Sequence, residues 1–180
     1  MHMLRLVRGG AKPRKNERTD MPDSPTHVLT ELVREENIIV DLPSEDQPSV
    51  MKSLVQNLVA TGLISKGHAS TVSRLLNERE ALGSTAIGGG VAIPHSRIGF
   101  TEDPILAFAL LGNGEGFKAL DGAPVHFVFL VLTPNGKDDD EVHRQVLKAI
   151  TAFVRVPVHL KALSGCKTPA DVKSVFQDYA

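Results

Sequence analysis

The chain has little of what several functional classes require. Among its 180 residues there is one cysteine, Cys166, one tyrosine and no tryptophan. A single cysteine excludes an internal disulfide framework and indicates a reducing compartment. The scarcity of Tyr and Trp argues against an aromatic platform for nucleic acid bases. No apolar run reaches the length of a membrane span, and the first residues lack the apolar stretch of a signal peptide, so we expect a cytoplasmic protein without membrane insertion.

Charge is distributed unevenly along a chain of otherwise ordinary composition. Hydrophobic residues make up 42% and charged residues 23%, which is typical of one globular domain with a substantial core. Residues 1–20 carry a formal charge of +4, whereas the whole chain carries −1 and the remainder therefore −5. We predict that residues 1–25 form a basic, disordered extension and residues 26–180 one domain. The acidic remainder does not favour nucleic acid as a partner.

Helical and strand periodicities alternate from residue 26 onward. Apolar runs rich in β-branched residues predict strands at residues 38–42, 91–93, 105–111 and 125–132. Amphipathic spacing predicts a helix in the apolar stretch after Ser44 and others at residues 26–35, 66–80, 138–154, 157–163 and 169–179. Ser44 and Gln47 resemble a capping box, and Thr168 is the expected N-cap of the last helix. The pattern predicts an α/β fold, with a mixed β-sheet sandwiched between helices in a single domain.

The most informative segment, residues 78–97, contains a histidine behind a glycine turn. Three consecutive glycines at 88–90 permit positive φ angles, and residues 91–93 are predicted to form a short buried strand. Pro94 is expected to end the hydrogen-bonding ladder of that strand. His95 should therefore emerge from a rigid edge into a loop, where its side chain is well placed to carry a transient group.

The chemistry that suits such a histidine is phosphoryl transfer through the imidazole ring. A neutral imidazole is a good nucleophile near neutral pH and needs no base to activate it. It does need cations, hydroxyls or backbone N–H groups that stabilise the phosphoryl oxygens. The local candidates for these contacts are Arg79, Ser84, Thr85, Ser96 and Arg97.

The same segment resembles the signature of a known family. Residues 79–97, which include Leu-Gly-Ser-Thr and end in Gly-Val-Ala-Ile-Pro-His-Ser-Arg, resemble the phosphorylation-site region of enzyme IIA of the bacterial phosphoenolpyruvate-dependent phosphotransferase system. The resemblance is to the mannitol/fructose class, and within it more closely to the nitrogen-regulatory branch. Residues 117–134 are similar to the second half of the family, and residues 142–147 resemble its second active-site histidine segment. In all, the resemblance covers about residues 26–178.

The resemblance implies roles for three residues. His95 would accept phosphate from the histidine-containing phosphocarrier protein, then pass it to a IIB protein or regulate target proteins according to its phosphorylation state. His143 would lie near the phosphorylated nitrogen, and Arg79 would stabilise the phosphoryl group. Two positions depart from the nitrogen-regulatory pattern: Gly89 stands where asparagine is frequent, and Ser96 where glycine is frequent.

Structural interpretations compete with these roles. His143 could be an exposed helix residue beside an acidic first turn, and Arg79 could simply pair with a nearby carboxylate. The other histidines of the predicted domain are interpreted as structural: His27, His68, His126 and His159. The glycine clusters match neither a P-loop nor a dinucleotide fingerprint, and no metal-ligand spacing is present, so no cofactor and no metal are expected.

Three functions therefore stay open at this point. The first is a nitrogen-regulatory IIA protein whose binding partners depend on the phosphorylation of His95. The second is a fructose- or mannitol-directed IIA protein that feeds a separate IIB protein. The third is a regulatory binding module that acts by contact alone, which the joint presence of His95, His143 and Arg79 disfavours.

Overall fold

The computed structural model describes residues 25–43, 46–112, 117, 119, 121–136 and 139–179. The predicted N-terminal extension lies outside these residues, apart from Pro25. Within the described ranges, no helix is both long enough and apolar enough to cross a membrane.

Helices occupy every region where they were predicted, with some changes at their ends. The described residues form α1 (Pro25–Leu32), α2 (Gln47–Ala60), α3 (Ala69–Ala81), α4 (Asp140–Val154), α5 (Pro157–Ser164) and α6 (Pro169–Asp178), with a 3₁₀ turn at Lys66–His68. The prediction that the first helix reaches residue 35 is wrong. Val33 is fully buried and already pairs with Leu106 in the sheet, because the pairing partner outweighs the local helical pattern.

The N-caps of α2 and α6 can be compared with the capping residues predicted from the sequence. Thr168 accepts a hydrogen bond from the backbone N–H of Asp171 and caps α6, as expected. The predicted capping box of Ser44 and Gln47 is wrong, because Asp46 is the N-cap of α2. The Asp46 carboxylate accepts from the backbone N–H of Ser49 at 2.7 Å, and the Ser49 hydroxyl in turn accepts from the Asp46 N–H.

Six described strands form one mixed sheet. They are β1 (Val33–Leu42), β2 (Ala86–Gly88), β3 (Val91–Ala92), β4 (His95–Ile98), β5 (Ile105–Leu111) and β6 (Phe127–Pro134). Their order is β1-β5-β6-β3-β2, and β4 also pairs with β6. The β1–β5, β3–β6 and β4–β6 pairs are parallel, whereas β2–β3 and β5–β6 are antiparallel. Every residue of β5 and β6 is buried, as continuous apolar runs at the centre of a sheet require.

The strand that begins at His95 corrects the expectation that Pro94 ends the ladder. Proline lacks an N–H donor, but its carbonyl still accepts a hydrogen bond, here from the backbone N–H of Val131 at 2.9 Å. Pairing with β6 therefore resumes, with His95 opposite Val131. His95 consequently starts a strand whose backbone is fixed, and does not lie in a loop.

Helices cover both faces of the sheet. One core contains residues of α1, α4, α5 and α6 together with one face of β1, β5 and β6, and includes Phe108, Phe129 and Phe176. The other contains residues of α2 and α3 together with the opposite face, and includes Leu54, Leu76 and Leu130. The predicted α/β sandwich with a mixed sheet in a single domain is therefore confirmed.

Candidate functional site

His95 is held by hydrogen bonds at both nitrogens of its ring. Its Nδ1 lies 2.7 Å from the carbonyl oxygen of Ile93, and Nε2 lies 3.1 Å from Nε of Arg79. A carbonyl oxygen can only accept, so the proton of the neutral ring sits on Nδ1. Nε2 therefore carries the lone pair, which accepts from the Arg79 guanidinium. The contacts select the tautomer in which Nε2 is the ring nitrogen with the available lone pair.

Arg79 lies in the last turn of α3, on the side that packs against β4. Besides its contact with His95, its Nη1 donates to the carbonyl oxygen of Gly83 at 3.0 Å. Among the described residues its guanidinium forms no ion pair with a carboxylate, in contrast to the neighbouring Arg74, which pairs with Glu78. The structural interpretation of Arg79 as a surface ion-pair residue therefore has no support from its contacts.

His143 projects from the first turns of α4 toward the same place. The centres of the His95 and His143 rings are 5.5 Å apart, with an angle of 56° between the ring planes. Nδ1 of His143 lies 2.8 Å from Oγ1 of Thr133, a fully buried residue near the end of β6. His143 is half-buried, so the interpretation of it as an exposed helix residue does not fit its environment.

Burial keeps both rings uncharged at neutral pH. The pKa of His95 is lowered mainly by burial and further by Arg79, although the hydrogen bond to Ile93 opposes this. The pKa of His143 falls to about 4, because of burial first and the charge of Arg97 second. The site thus combines two neutral imidazoles with guanidinium groups, an arrangement that favours an incoming anion.

The low pKa of His143 predicts how the stability of the fold depends on pH. In an unfolded chain its pKa is near 6.5, so between about pH 6.5 and 4 the unfolded state binds more protons than the folded state. The free energy of unfolding should therefore fall as the pH drops through this window. Urea unfolding at pH 7 and pH 5 should show a smaller decrease in His143→Gln than in the unchanged protein. Equal decreases in both proteins would contradict the prediction.

Arg97 lies at the periphery of the site. His95 and Arg97 are two residues apart in β4 and share one face, whereas Ser96 points to the opposite face with Ile98, which packs in the core formed with α2 and α3. Arg97 forms an ion pair with Asp140, the first residue of α4. The structure therefore brings Arg97 close to the two histidines and directs Ser96 away from them.

The hydroxyls of Ser84 and Thr85 form hydrogen bonds within the segment that connects α3 to β2. The Glu80 carboxylate accepts from the Thr85 hydroxyl at 2.6 Å and from the Thr85 backbone N–H at 3.0 Å. Ser84 Oγ accepts from the backbone N–H of Ala86 at 3.2 Å. Thr85 is buried, and its carbonyl accepts from the N–H of Ile93, next to the segment that carries His95. In the described structure neither hydroxyl contacts the His95 ring.

Replacement of Glu80 by alanine should destabilise the fold. The variant leaves the buried Thr85 hydroxyl and N–H without their acceptor, at a cost of about 1–3 kcal/mol in the free energy of unfolding. Glu78→Ala is the matched control, since Glu78 lies on the same helix in an exposed ion pair and should change stability by less than about 0.5 kcal/mol. Urea denaturation of both variants measures the difference, and equal effects would contradict the assigned role.

The glycine turn before β3 adopts the predicted conformation. Gly88, Gly89 and Gly90 have φ angles of 87°, 63° and 78°. The carbonyl of Gly90 accepts from the backbone N–H groups of His126 and Phe127 at 2.7 and 2.9 Å, which attaches the turn to the start of β6. A φ of 63° is also accessible to asparagine, so the absence of asparagine at position 89 does not alter the backbone.

The other described histidines have structural surroundings. His159 is buried, and its Nδ1 donates to the carbonyl of Phe153 at 2.8 Å. His68 is exposed and stacks on Phe100, with 3.8 Å between ring centres. His126 lies just before β6, at the far end of that strand from His95. The prediction for His27 concerns a side chain outside the described ones.

Sequence reasoning missed three residues that orient the site: Glu80, Thr133 and Asp140. Thr133 carried a signal, since it is a polar residue at the end of an apolar strand. Glu80 also carried a signal, since it follows Arg79 and lies close in sequence to Ser84 and Thr85, whose hydroxyl groups can donate hydrogen bonds to a carboxylate. Asp140 shows in the sequence only as one of several acidic residues at the start of a predicted helix. In the described part of the chain no group of three potential metal ligands occurs.

Comparison with known proteins identifies the family of the chain. A sequence model of the family described as "Phosphoenolpyruvate-dependent sugar phosphotransferase system, EIIA 2" matches residues 31–179. The chain belongs to this family. A nitrogen regulatory protein of Pseudomonas aeruginosa is 37% identical over 116 residues, which are 64% of this chain and 73% of that protein.

Solved structures of IIA proteins share the fold. The nitrogen regulatory protein IIA-Ntr of Neisseria meningitidis superposes with a TM-score of 0.73 and 26% identity, covering 83% of this chain and 99% of its own. The mannitol IIA protein of Escherichia coli, determined in complex with phosphorylated mannitol IIB, gives a TM-score of 0.62 at 17% identity over 81% of this chain and 97% of its own. This chain is thus a IIA domain related to nitrogen-regulatory and sugar-specific members.

Proposed function

We propose that this IIA domain is a cytoplasmic phosphoryl carrier of the nitrogen-regulatory type, with His95 as its acceptor. The observation that carries the proposal is the Nε2 lone pair of His95, fixed by the Ile93 carbonyl and directed at Arg79. The donor is the histidine-containing phosphocarrier protein. The phosphoryl group is then passed to a IIB protein, or its presence decides which regulatory target proteins bind.

The transfer step requires no proton movement at His95. Nε2 attacks the phosphorus atom of the donor phosphohistidine, the new N–P bond forms, and the N–P bond of the donor breaks with its electron pair returning to the donor ring. The Nδ1 proton of His95 stays on the ring, hydrogen-bonded to the carbonyl of Ile93. Arg79 must release Nε2 as the phosphorus approaches, and its guanidinium then lies beside the phosphoryl oxygens, whose charge it stabilises.

His143 supplies a neutral hydrogen-bond donor in this mechanism. When the Thr133 hydroxyl donates to Nδ1 of His143, the proton of the neutral ring occupies Nε2 and can be donated to a phosphoryl oxygen. The pKa of about 4 ensures that the ring is uncharged before transfer. A phosphoryl group at His95 would raise this pKa, because the negative charge favours the imidazolium.

Arg97 has a second anionic partner once the phosphoryl group is present. In the unmodified protein it pairs with Asp140 at the start of α4, and both groups of this pair are partly exposed. A phosphoryl group adds about −1.5 to −2 charges and competes with the Asp140 carboxylate for the guanidinium. Phosphorylation would thereby change the charge pattern of the partner-facing surface, which is what a regulatory protein needs.

The sugar-specific function is the second candidate. The description of the matching family names a sugar phosphotransferase system, and the related mannitol IIA protein forms a complex with phosphorylated mannitol IIB. The identity to the nitrogen regulatory protein of P. aeruginosa favours the regulatory branch. Transfer from the phosphorylated protein to a purified fructose or mannitol IIB protein would favour the sugar-specific function.

The proposal is tested by reconstituting the relay with the full-length protein. Phosphoenolpyruvate, enzyme I and the phosphocarrier protein are added, and intact mass and acid lability are measured. We expect a single acid-labile phosphoryl group that depends on every relay component. Absence of an adduct in a relay that phosphorylates another IIA protein would overturn the proposal and favour the contact-only regulator.

A further inference from the structure

A cavity of about 630 Å³ lies at the end of the sheet away from His95. Its apolar floor comes from the end of β5 and the start of β6, where Leu110 pairs with Phe127. His95 pairs with Val131, four residues further along β6. At about 3.3 Å per residue along β6, Phe127 and Val131 are about 13 Å apart, so this cavity is distinct from the phosphoryl-acceptor site.

A second cavity, of about 320 Å³, adjoins the first. Gly89 and Leu160 line both cavities, so Leu160 and the helix that bears it, α5, separate them. We call the two cavities together the α5 cleft. The same helix leaves Val158 half exposed, at 50%. Apolar surface therefore remains open around α5, and the larger cavity has the size of a small-molecule site.

The charges that line the α5 cleft are predominantly positive. Lys161 and Lys167 line the larger cavity and Arg155 the smaller one, whereas Asp41 is the only carboxylate among the described lining residues of both. Ser164 adds a hydroxyl next to the lysines. An apolar floor beneath several cations suits a molecule with an apolar body and an anionic group.

Asp41, at the rim of the larger cavity, has an unusual backbone conformation. Asp41 has a φ of 56°, in the left-handed region that few non-glycine residues adopt, and it lies at an irregularity in the β1–β5 register. Its carboxylate sits against Gly112, where a Cβ would overlap Asp41 Oδ1, so a larger residue at position 112 would displace the carboxylate. Among the described lining residues of the larger cavity, two lysines and this one carboxylate leave one positive charge in excess, which suits a ligand with a single negative charge.

We propose that the α5 cleft binds a small amphipathic monoanion, with its apolar body on Leu110, Phe127 and Leu160 and its anionic group at Lys161 and Lys167. This site stands independently of the proposed phosphoryl transfer. The ligand is defined by its chemistry, an organic acid with a carboxylate, sulfonate or similar group.

The only cysteine of the chain provides a local reporter of occupancy. Cys166 lines the larger cavity and is 6% exposed. Burial raises the pKa of its thiol, so the group stays neutral and does not repel an anion. A bound molecule that fills the cavity should therefore shield Cys166 from a small thiol reagent.

The test uses the full chain with two fluorescent probes that share an aromatic body. 8-Anilinonaphthalene-1-sulfonate carries one negative charge, and N-phenyl-1-naphthylamine is neutral. We expect one sulfonate molecule per chain, and we expect Lys161→Ala/Lys167→Ala to weaken its binding about three- to tenfold, since two exposed charges are removed. The affinity for the neutral probe should change less than twofold in that variant, because the apolar floor is intact.

Two further measurements determine whether the sulfonate probe binds in the α5 cleft. Saturating sulfonate should slow modification of Cys166 by methyl methanethiosulfonate, as read by intact mass. Leu82→Ala removes the most exposed large apolar side chain of the described residues, at 86%, near the phosphoryl-acceptor end, and should leave probe binding unchanged. The proposal is overturned if the double lysine variant binds the sulfonate as well as the unchanged protein, if Cys166 is not protected, or if Leu82→Ala abolishes binding.

Discussion

His95→Ala should yield no phosphorylated protein in the reconstituted relay. The variant removes the only imidazole whose Nε2 lone pair is directed at a guanidinium in the described structure, and no hydroxyl of Ser84 or Thr85 contacts that position. His143 cannot replace it, since the His143 ring is anchored to Thr133 at the end of β6. The measurement is intact mass after incubation with phosphoenolpyruvate, enzyme I and the phosphocarrier protein.

His68→Ala is the matched control for this loss. His68 is exposed and stacks on Phe100 outside the site, so its removal should leave the extent of phosphorylation unchanged. Circular dichroism of both variants verifies that they are folded. A phosphoryl adduct of normal yield on folded His95→Ala would show that another residue is the acceptor.

Arg79→Ala should slow phosphorylation about 10²- to 10³-fold, the effect typical of removing one preorganised donor from a developing charge. Arg79 contacts Nε2 of His95, the proposed nucleophile, directly and is oriented by the carbonyl of Gly83. Arg79→Lys should recover part of the rate, because lysine restores the charge but cannot reach Nε2 and the carbonyl at once. Single-turnover transfer from the phosphorylated phosphocarrier protein measures these rates.

Arg74→Ala separates this effect from a general loss of positive charge. Arg74 lies on the same helix, about one turn and a residue earlier, in an exposed pair with Glu78. Its removal should leave the transfer rate unchanged, because the pair is screened and remote from His95. Similar slowing in Arg74→Ala and Arg79→Ala would mean that Arg79 acts through net charge or docking and not through its contact with His95.

The sequence predicted the parts of the fold that local patterns determine. Continuous apolar runs identified β5 and β6 as buried strands, and Thr168 with the following proline identified the start of α6. It did not predict where α1 ends, because residues 33–35 continue the helical pattern locally and their strand conformation depends on pairing with the distant β5. Nor did it predict β4, whose polar residues form a strand only because β6 lies beside them.

The site shows the same division between local and distant information. Arg79 and His95 are 16 residues apart in one recognisable segment, and the contact between them follows a pattern that the sequence displays. The pair of Arg97 and Asp140 joins residues 43 apart, so it depends on how α4 packs against the sheet. Ser96 was a candidate contact because it follows His95, but side chains alternate along a strand and it faces the other way.

The central claim is that Nε2 of His95 is the phosphoryl acceptor, because the carbonyl of Ile93 holds the proton on Nδ1. The most direct test is to label the histidines with ¹⁵N, phosphorylate the protein through the relay, and record long-range proton–nitrogen correlations of the imidazole rings. We expect the phosphoryl group on Nε2 of His95, with Nδ1 still protonated. A phosphoryl group on Nδ1 of His95, or on any other residue, would contradict the account.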